Sequence, residues 1–292
     1  MKTLIKLFFK TTSFLAPKIA GRLAFDLFQK PLNKKLRDKE KLFFNNAESF
    51  SIKFPLEDIE CYELGPTDGD LVILVHGWES NAASMSAIAE QLAQDDFHVI
   101  IFNLPAHGYS KLTKTNLKMC KDALMAVINH INPMEPFSIV SHSFGSAVTS
   151  YTLANTSHTI NQLVFLTTPN KLTDVFLEFG SFIGLNQKSQ KRLNDLASGI
   201  LGEPLESLQI EKLGQRAQFK KLTIIHDKHD KIISIEKARR VHHEITSSEL
   251  IETENKGHYR MLWDQEVINL VSKALINDSK PQRSVIPETV NA

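Results

Sequence analysis

A short stretch near the middle of the chain constrains the possible folds more strongly than any other. It begins with an apolar run that includes Phe137, Ile139 and Val140, and it continues through small residues on both sides of Ser143. Residues 144–153 are compatible with a helix. The pattern predicts a buried strand, a sharp turn with a serine at its apex, and a helix whose N-terminus points toward whatever binds there. The serine hydroxyl would then be exposed at one end of a sheet.

The turn differs at one position from the pattern G-x-S-x-G. Ser141 replaces the first glycine, whereas Gly145 keeps the second. Small residues are required because the tight turn brings neighbouring backbone close to the serine, and a serine in place of glycine adds little bulk. The same stretch also fits an ordinary junction between a strand and a helix, in which Ser143 caps the helix. The remaining sequence has to decide between these two interpretations.

Apolar runs and amphipathic segments alternate along most of the chain. Residues 71–75 are all apolar, as expected of a central strand that is covered on both faces. Further strands are predicted at 50–54, 59–64, 97–102, 162–166, 222–226 and 249–253, and helices at 82–94, 117–131 and 267–276. This alternation predicts an α/β fold with a mostly parallel central sheet and helices on both faces. Ligands of such folds bind at the carboxyl ends of the strands.

Three parts are expected along the chain: an amphipathic helical extension at 1–49, an α/β domain at 50–276 and a disordered polar tail at 277–292. Within the domain, residues 170–219 separate two predicted strands and are helical in character, so they are predicted to form a small inserted cap. Its apolar clusters predict that Phe176, Phe179 and Phe182 line or cover a substrate pocket.

The N-terminal extension is basic and amphipathic. Residues 1–41 contain eleven lysines and arginines against three acidic residues, whereas the whole chain has a formal net charge of +1. Lys6 and Lys10 interrupt the apolar pattern, which argues against a cleaved signal peptide and against a membrane-spanning helix. A second helix is expected to begin at Pro17. Residues 1–30 are therefore expected either to pack on the domain or to contact a membrane surface, and the sequence leaves both alternatives open.

The two cysteines bear on the cellular compartment. Cys61 and Cys120 lie far apart within apolar patterns, so they are predicted to be buried small hydrophobic residues rather than a disulfide or metal framework. Unpaired cysteines suit a reducing environment. The expected location is cytoplasmic, with peripheral membrane attachment as the open alternative, and no nucleic-acid partner is expected.

The candidate reaction chemistry begins with the serine at the turn. A serine hydroxyl is a weak nucleophile at neutral pH and needs a base and an acid that orients this base. His258 is the candidate base, because it lies just beyond the last predicted strand. Asp227 and Asp230 are the candidate acids, because both follow the strand at 222–226. Asp230 is preferred, since Asp227 falls directly at the strand end, where the chain is still extended.

Donors for an oxyanion are expected from two backbone amides. Phe144 begins the helix that follows the serine, so its amide is the first candidate. Trp78 supplies the second, because Gly77 allows a sharp turn after the central strand ending at His76.

With these residues in place, the chain resembles the α/β-hydrolase superfamily, in its serine-esterase and lipase-like branch. The matching segments are His76-Gly77-Trp78, residues 103–110, Ser141-His142-Ser143-Phe144-Gly145, Asp230 with Ile232-Ile233, and Gly257-His258. The family usually has Asp-Leu-Pro-Gly-His-Gly in the second segment, from which Asn103 and Ala106 depart. The resemblance runs from about residue 55 to 276. It implies a triad of Ser143, Asp230 and His258, and it implies a cap where residues 170–219 are inserted.

The function expected from these residues is hydrolysis of carboxylic esters through an acyl-enzyme. Ser143 would attack, His258 would move the proton, Asp230 would orient His258, and the amides of Trp78 and Phe144 would hold the oxyanion. A small-molecule ester is the expected substrate, and no cofactor or metal is expected. Acyl transfer and carbon–carbon bond hydrolysis use the same residues and remain alternatives. A further alternative is a membrane-associated scaffold without catalytic activity.

A metal enzyme is also conceivable from the composition of the C-terminal third. Its candidate ligands would be His226, His229, Asp230, His242 and His243. These residues do not follow a familiar metal-ligand spacing, so the metal alternative is the weaker one.

Overall fold

One eight-stranded sheet organises the residues that the structure describes, 2–134 and 136–276 of a computed structural model. Its strands are β1 (Glu48–Ile52), β2 (Ile59–Leu64), β3 (Asp70–Val75), β4 (Phe97–Phe102), β5 (Phe137–His142), β6 (Thr159–Leu166), β7 (Gln218–Asp227) and β8 (Ser248–Thr253). They follow the order β1-β2-β4-β3-β5-β6-β7-β8 across the sheet. β1 is antiparallel to β2, and β2 is antiparallel to β4. The other six strands, β3 to β8, are parallel to one another. The predicted α/β class is therefore confirmed, while the predicted tail at 277–292 lies outside the described residues.

Helices cover both faces of this sheet. They are α1 (Lys2–Leu15), α2 (Pro17–Phe28), α3 (Asp38–Asn46), α4 (Ser86–Gln94), α5 (Leu117–Ile131), α6 (Phe144–Leu153), α7 (Leu172–Ile183), α8 (Gln187–Leu201), α9 (Ile210–Arg216), α10 (Ile235–Glu244) and α11 (Gln265–Ile276). Short 3-10 helices occur at Ala82–Met85, Leu205–Ser207 and Arg260–Trp263.

The hydrophobic core consists of two layers, because successive side chains of a strand point to opposite faces of the sheet. In β3, Ile73 and Val75 pack with α5 and α6 on one face, whereas Val72 and Leu74 pack with α4 and α11 on the other. All four side chains are fully buried. A continuous apolar run is thus the expected sequence of a strand that is covered on both sides.

Two strands extend beyond the apolar runs that predicted them. β7 begins at Gln218, four residues before the predicted start, and β6 begins at Thr159, three residues early. These early residues pair with each other in parallel register, Thr159 with Gln218. Backbone hydrogen bonds hold this end of the ladder, and they do not require apolar side chains where the strands are exposed.

The segment at 170–219 is helical as predicted, except that its last two residues belong to β7. It contains α7, α8 and α9, and an isolated bridge between Lys171 and Gln209 closes its base. Buried residues of these helices, such as Phe176 and Leu193, belong to the same core as the sheet. Packing on the domain therefore contributes to holding the insertion in place.

The N-terminal helices also pack on the domain. Phe9, Ala24 and Phe25 are buried in the core that contains α5 and α6. α2 lies directly against α8: a Cβ added at Gly21 would come within 2.6 Å of the backbone oxygen of Ser189. Because glycine has no Cβ, the two helices can approach closely at this point. Residues of both helices thus pack on the domain, and no helix in the described part of the chain is long and apolar enough to cross a membrane.

We expect Gly21→Ala to destabilise the protein, because the added methyl group would meet the Ser189 backbone, which cannot move independently of α8. Overpacking of this kind costs about 1–3 kcal/mol of unfolding free energy. The matched control is Gly199→Ala on α8, where an added Cβ meets nothing within 4 Å. This variant should gain about 0.4–1 kcal/mol. Urea unfolding of both variants measures the difference, and equal stabilisation would show that α2 is not packed on α8.

Candidate functional site

The turn between β5 and α6 holds its serine in an unusual backbone conformation. Ser143 has φ 53° and ψ −117°, a sparsely populated region for residues other than glycine. Its amide donates a hydrogen bond to the Leu166 carbonyl of β6 at 2.9 Å. A Cβ at Gly145 would lie only 2.2 Å from the Val75 carbonyl oxygen. The helix therefore passes so close to the end of β3 that only glycine fits there, and this contact fixes the direction in which the serine points.

The departure at Ser141 is accommodated within the fold. Its side chain is fully buried, and its Oγ lies 2.7 Å from Oγ1 of Thr149 in α6. A buried hydroxyl needs such a partner, because leaving it unsatisfied costs free energy. Ser141 thus forms a hydrogen bond between the strand and the helix at a position where the pattern has glycine.

His258 lies beside this serine, in the loop that follows β8. Its Nε2 is 3.1 Å from Oγ of Ser143, and its Nδ1 is 2.8 Å from Oδ2 of Asp230. Its backbone carbonyl accepts a hydrogen bond from Nε2 of His142 at 2.9 Å. Oγ1 of Thr167 lies 3.1 Å from the same Nδ1. A continuous hydrogen-bonded line therefore connects a hydroxyl, an imidazole and a carboxylate, which can move a proton away from the hydroxyl.

Asp230 is held firmly by the loop after β7. Its Oδ1 accepts hydrogen bonds from the amides of Ile232 at 2.7 Å and Ile233 at 3.0 Å, and its side chain is fully buried. Burial favours the protonated form, but the hydrogen bond and charge of His258 and the two amides outweigh it. The pKa of the Asp230 carboxyl therefore lies below its ordinary value. The carboxylate is ionised at neutral pH and can stabilise a positive charge on His258.

Asp227 makes different contacts. Its Oδ1 accepts a hydrogen bond from the amide of His229 at 2.8 Å, and its Oδ2 accepts one from the amide of Lys256. It thus joins the loop after β7 to the loop that carries His258. Of the two candidate acids, the structure brings Asp230 to the His258 ring and leaves Asp227 on the loop backbone.

The two candidate oxyanion donors lie close to the serine. Gly77 approaches it so closely that an added Cβ would be 3.2 Å from Cβ of Ser143. The rings of Trp78 and Phe144 meet edge to face with centroids 5.3 Å apart. Within the described residues, neither amide donates a hydrogen bond to another protein group. Two free backbone donors therefore lie near the serine, and donors of this kind can bind a negative oxygen.

His76 holds the loop that carries Trp78. Its Nε2 accepts a hydrogen bond from the amide of Leu104 at 3.0 Å, so its proton is on Nδ1, which donates to the Gly77 carbonyl at 2.8 Å. Complete burial, followed by the neighbouring His107, holds the pKa of His76 well below its ordinary value. This neutral imidazole links the ends of β3 and β4.

Burial also lowers the pKa of His107 to about 4 and that of His142 to about 3. His76, His107 and His142 are therefore all neutral at pH 7. His258 is consequently not surrounded by additional positive charge.

An aromatic cluster adjoins the site, and sequence reasoning missed its central member. Phe28 lies at the end of α2, and its ring centroid is 4.3 Å from that of Phe176 and 5.0 Å from that of Phe179. The Phe28 ring also stacks on Trp78, with a centroid distance of 6.3 Å. Nothing local distinguishes Phe28 from the other apolar residues of an amphipathic helix. Phe182, on the same helix as Phe176 and Phe179, is 59% exposed and does not join the cluster.

The candidate metal ligands do not form a group. His226 donates to the Ile233 carbonyl at 2.9 Å, His242 contacts Ser248, and His243 lies beside Glu244 on the surface. In residues 2–134 and 136–276, no three or more His, Cys, Asp or Glu side chains are arranged to hold a metal ion.

Comparisons with known proteins agree with the observed fold. A model of the α/β-hydrolase fold family matches residues 70–196. A serine hydrolase-like protein of Dictyostelium discoideum is 28% identical over 156 residues, which cover 51% of this chain and 39% of that protein. The chain thus matches less than half the length of this relative.

Solved structures share the fold at low sequence identity. An esterase of Pyrococcus furiosus superposes with a TM-score of 0.64 at 16% identity, covering 85% of this chain and 98% of that one. The thioesterase domain of the curacin biosynthetic pathway superposes with a TM-score of 0.60 at 14% identity, covering 80% and 100%. Together with the parallel sheet and the strained serine turn, these likenesses show that the chain has the α/β-hydrolase fold.

Proposed function

We propose that the protein hydrolyses carboxylic esters through an acyl-enzyme formed on Ser143. The observation that carries this proposal is the hydrogen-bonded line from the Ser143 hydroxyl through His258 to Asp230, with distances of 3.1 and 2.8 Å. These distances lie within the range required for proton transfer between a nucleophile and its base. The strained backbone at Ser143 supports it further, because such strain concentrates at functional sites.

In the proposed first half-reaction, Oγ of Ser143 attacks the ester carbonyl carbon while Nε2 of His258 takes its proton. The imidazolium that forms is stabilised by the ionised Asp230, which also keeps the remaining proton on Nδ1. The carbonyl oxygen becomes negative and is bound by the amides of Trp78 and Phe144. The C–O bond then breaks, and His258 returns the proton to the departing alcohol.

In the second half-reaction, water replaces the alcohol. His258 removes a proton from this water as it attacks the acyl carbon, and the same amides bind the oxyanion. Collapse of the intermediate releases the carboxylic acid and returns the proton to Oγ of Ser143. His76 and His142 are neutral, and His258 is the histidine that contacts both Ser143 and Asp230. His258 is therefore the base in both half-reactions.

The aromatic cluster favours an apolar acyl group. Phe28 and Phe179 are partly exposed and continue the surface that begins at Trp78, beside one of the proposed oxyanion donors, while Phe176 packs against Phe28 from the core. Two of these rings come from α7, so the segment at 170–219 would act as a cap over the acyl chain. An apolar wall contributes about 0.8 kcal/mol for each methylene group that it removes from water.

Replacement of the serine tests the proposal directly. We expect Ser143→Ala to reduce kcat by about 10⁴-fold or more while the fold is kept, because the nucleophile is lost. The matched control is Ser146→Ala in the same helix, whose buried Oγ has no hydrogen-bond partner within the described residues. It should keep activity close to that of the wild type. Hydrolysis of nitrophenyl acetate measures both, and more than a tenth of wild-type activity in Ser143→Ala would exclude this nucleophile.

Labelling with a fluorophosphonate distinguishes the enzyme from a scaffold without activity. The native protein should be labelled at Ser143, and Ser143→Ala should not be labelled. A native protein that remains unlabelled and hydrolyses none of the esters or thioesters tested would favour the scaffold. Labelling without hydrolysis, but with transfer of the acyl group to an added alcohol, would assign the site to acyl transfer.

The two aspartates should differ in the kind of loss that they cause. Asp230→Asn should lower kcat by about 10⁴-fold, because an uncharged amide no longer keeps the proton of His258 on Nδ1. Asp227→Asn keeps one acceptor oxygen and should mainly lower the melting temperature, with less than about a hundredfold loss of kcat. Steady-state kinetics and thermal unfolding of both variants provide the comparison. A larger kcat loss in Asp227→Asn would reverse the assignment.

Acyl-chain preference tests the aromatic wall. Phe179→Ala removes a ring that contacts Phe28 and opens space along the wall, so longer acyl chains should gain relative to acetate. Admitting about two further methylene groups corresponds to about a tenfold rise in the ratio of kcat/KM for octanoate to that for acetate. Phe182→Ala, on the same helix but exposed, is the matched control and should leave the ratio unchanged. Equal ratios in the two variants would contradict an acyl-binding wall at α7.

A further inference from the structure

Exposed apolar side chains are concentrated on the two N-terminal helices. Phe14 is 83% exposed and Leu15 is 74% exposed. The other large apolar side chains exposed on α1 and α2 are Leu4, Leu7, Phe8, Ile19 and Leu23. We refer to these seven residues as the N-terminal face. Isolated exposed apolar residues are ordinary, but a concentration of this kind marks an interaction surface.

Packing on the domain does not account for the N-terminal face. The side of α1 that contacts the domain contains Phe9 and Ser13, which are both buried, with Ile5 half-buried beside them. At 100° for each residue, Leu4, Leu7 and Leu15 fall on a different side of the helix. α1 therefore has two apolar sides, of which folding uses one.

Positive charges flank this face. Lys6, Lys10, Lys18 and Arg22 are exposed, and within the described residues none of them forms an ion pair. The one acidic residue of α1 and α2, Asp26, is already paired with Lys30 and Lys114. The face therefore combines exposed apolar rings with unneutralised basic groups, and this combination is complementary to a layer of acyl chains beneath anionic headgroups.

We propose that the N-terminal face docks in the plane of an anionic lipid bilayer. The apolar side chains enter the boundary between headgroups and acyl chains, and the four basic groups contact the headgroups. A second copy of the chain fits this face less well. A two-fold interface would bring the same four positive groups of both copies together, with no carboxylate on the face to pair with them.

The docked face is directly connected to the candidate site. α2, which carries Ile19 and Leu23 on its exposed side, ends at Phe28, the central ring of the aromatic cluster. Four residues later, the amide of Leu32 donates a hydrogen bond to Oε1 of Glu79, next to Trp78. Docking would therefore bring this side of the site toward the bilayer. The docking proposal itself does not depend on the proposed reaction, because vesicle binding is measured without turnover.

Flotation of the full chain with vesicles tests the proposal. We expect recovery with vesicles of equimolar phosphatidylcholine and phosphatidylglycerol, weaker recovery with phosphatidylcholine alone, and release at high salt. Phe14→Ala combined with Leu15→Ala should weaken binding at least about tenfold on both vesicles, because buried apolar area is lost. The matched control is Leu56→Ala, at an exposed apolar residue outside the face, which should bind as the wild type does.

A charge variant separates the electrostatic contribution. Lys6→Gln combined with Lys10→Gln should weaken binding to the anionic vesicles by about 25-fold, at about fivefold for each charge, and leave binding to phosphatidylcholine unchanged. Lys111→Gln combined with Lys220→Gln is the matched control, because both side chains are exposed and lie outside α1 and α2. Far-ultraviolet circular dichroism verifies that all variants remain folded.

The outcomes that would overturn the proposal are distinct from a failure of the proposed reaction. Recovery equal to that without vesicles, or equal binding by the wild type and the Phe14→Ala, Leu15→Ala variant, would exclude lipid docking by this face. A dimer in sedimentation velocity that this variant abolishes would assign the face to a second copy. Ser143→Ala should bind vesicles like the wild type, so a protein that docks but does not hydrolyse esters would contradict only the reaction.

Discussion

The candidate site depends on one close approach between two elements of the sheet domain. At Gly145, α6 passes the end of β3 with no room for a side chain, since an added Cβ would lie 2.2 Å from the Val75 carbonyl oxygen. This contact forces the sharp turn that leaves Ser143 with a positive φ of 53°. The strain is maintained because both flanking elements are buried in the core and cannot relax separately. The serine hydroxyl is thereby directed away from the sheet, toward the loops after β7 and β8.

Electrostatics around the serine depend on burial as much as on charge. Asp230 is ionised despite its burial, because one imidazole and two backbone amides donate to it. His107 and His142 remain neutral because nothing comparable compensates their desolvation. The same low-polarity surroundings thus produce opposite charge states, depending on the hydrogen-bond partners that each group has. As a result, His258 lies beside a fixed negative charge, whereas His107 and His142 are neutral.

The helices outside the sheet converge on one aromatic cluster. Phe28 arrives from the N-terminal helices, Phe176 and Phe179 arrive from the segment at 170–219, and Trp78 belongs to the loop after β3. Contact between α2 and α8 at Gly21 fixes the first of these groups relative to the second. Three regions that are distant along the chain therefore share one packing unit. The N-terminal helices are in this way part of the surroundings of the site.

Local sequence patterns were sufficient to predict the eight strands and the candidate residues, but not every helix, since α3 and α10 were not predicted. Apolar runs predicted β2 and β4 with their observed bounds, and the small residues around Ser143 predicted the turn, because these features depend on neighbouring residues alone. The preference for Asp230 over Asp227 also came from the sequence, since the length of a strand determines where a loop begins.

Only the tertiary structure decided which elements meet. The sequence could not distinguish Phe179, which joins the aromatic cluster, from Phe182, which is exposed, because both belong to the same apolar segment of α7. It could not identify Phe28 either, since its partners lie about 50 and 150 residues further along the chain. The hydrogen bond between Ser141 and Thr149 likewise depends on how α6 packs on β5. Helical periodicity indicates that a side of a helix is apolar, but packing between distant segments determines whether that side is buried, lines a site or remains exposed.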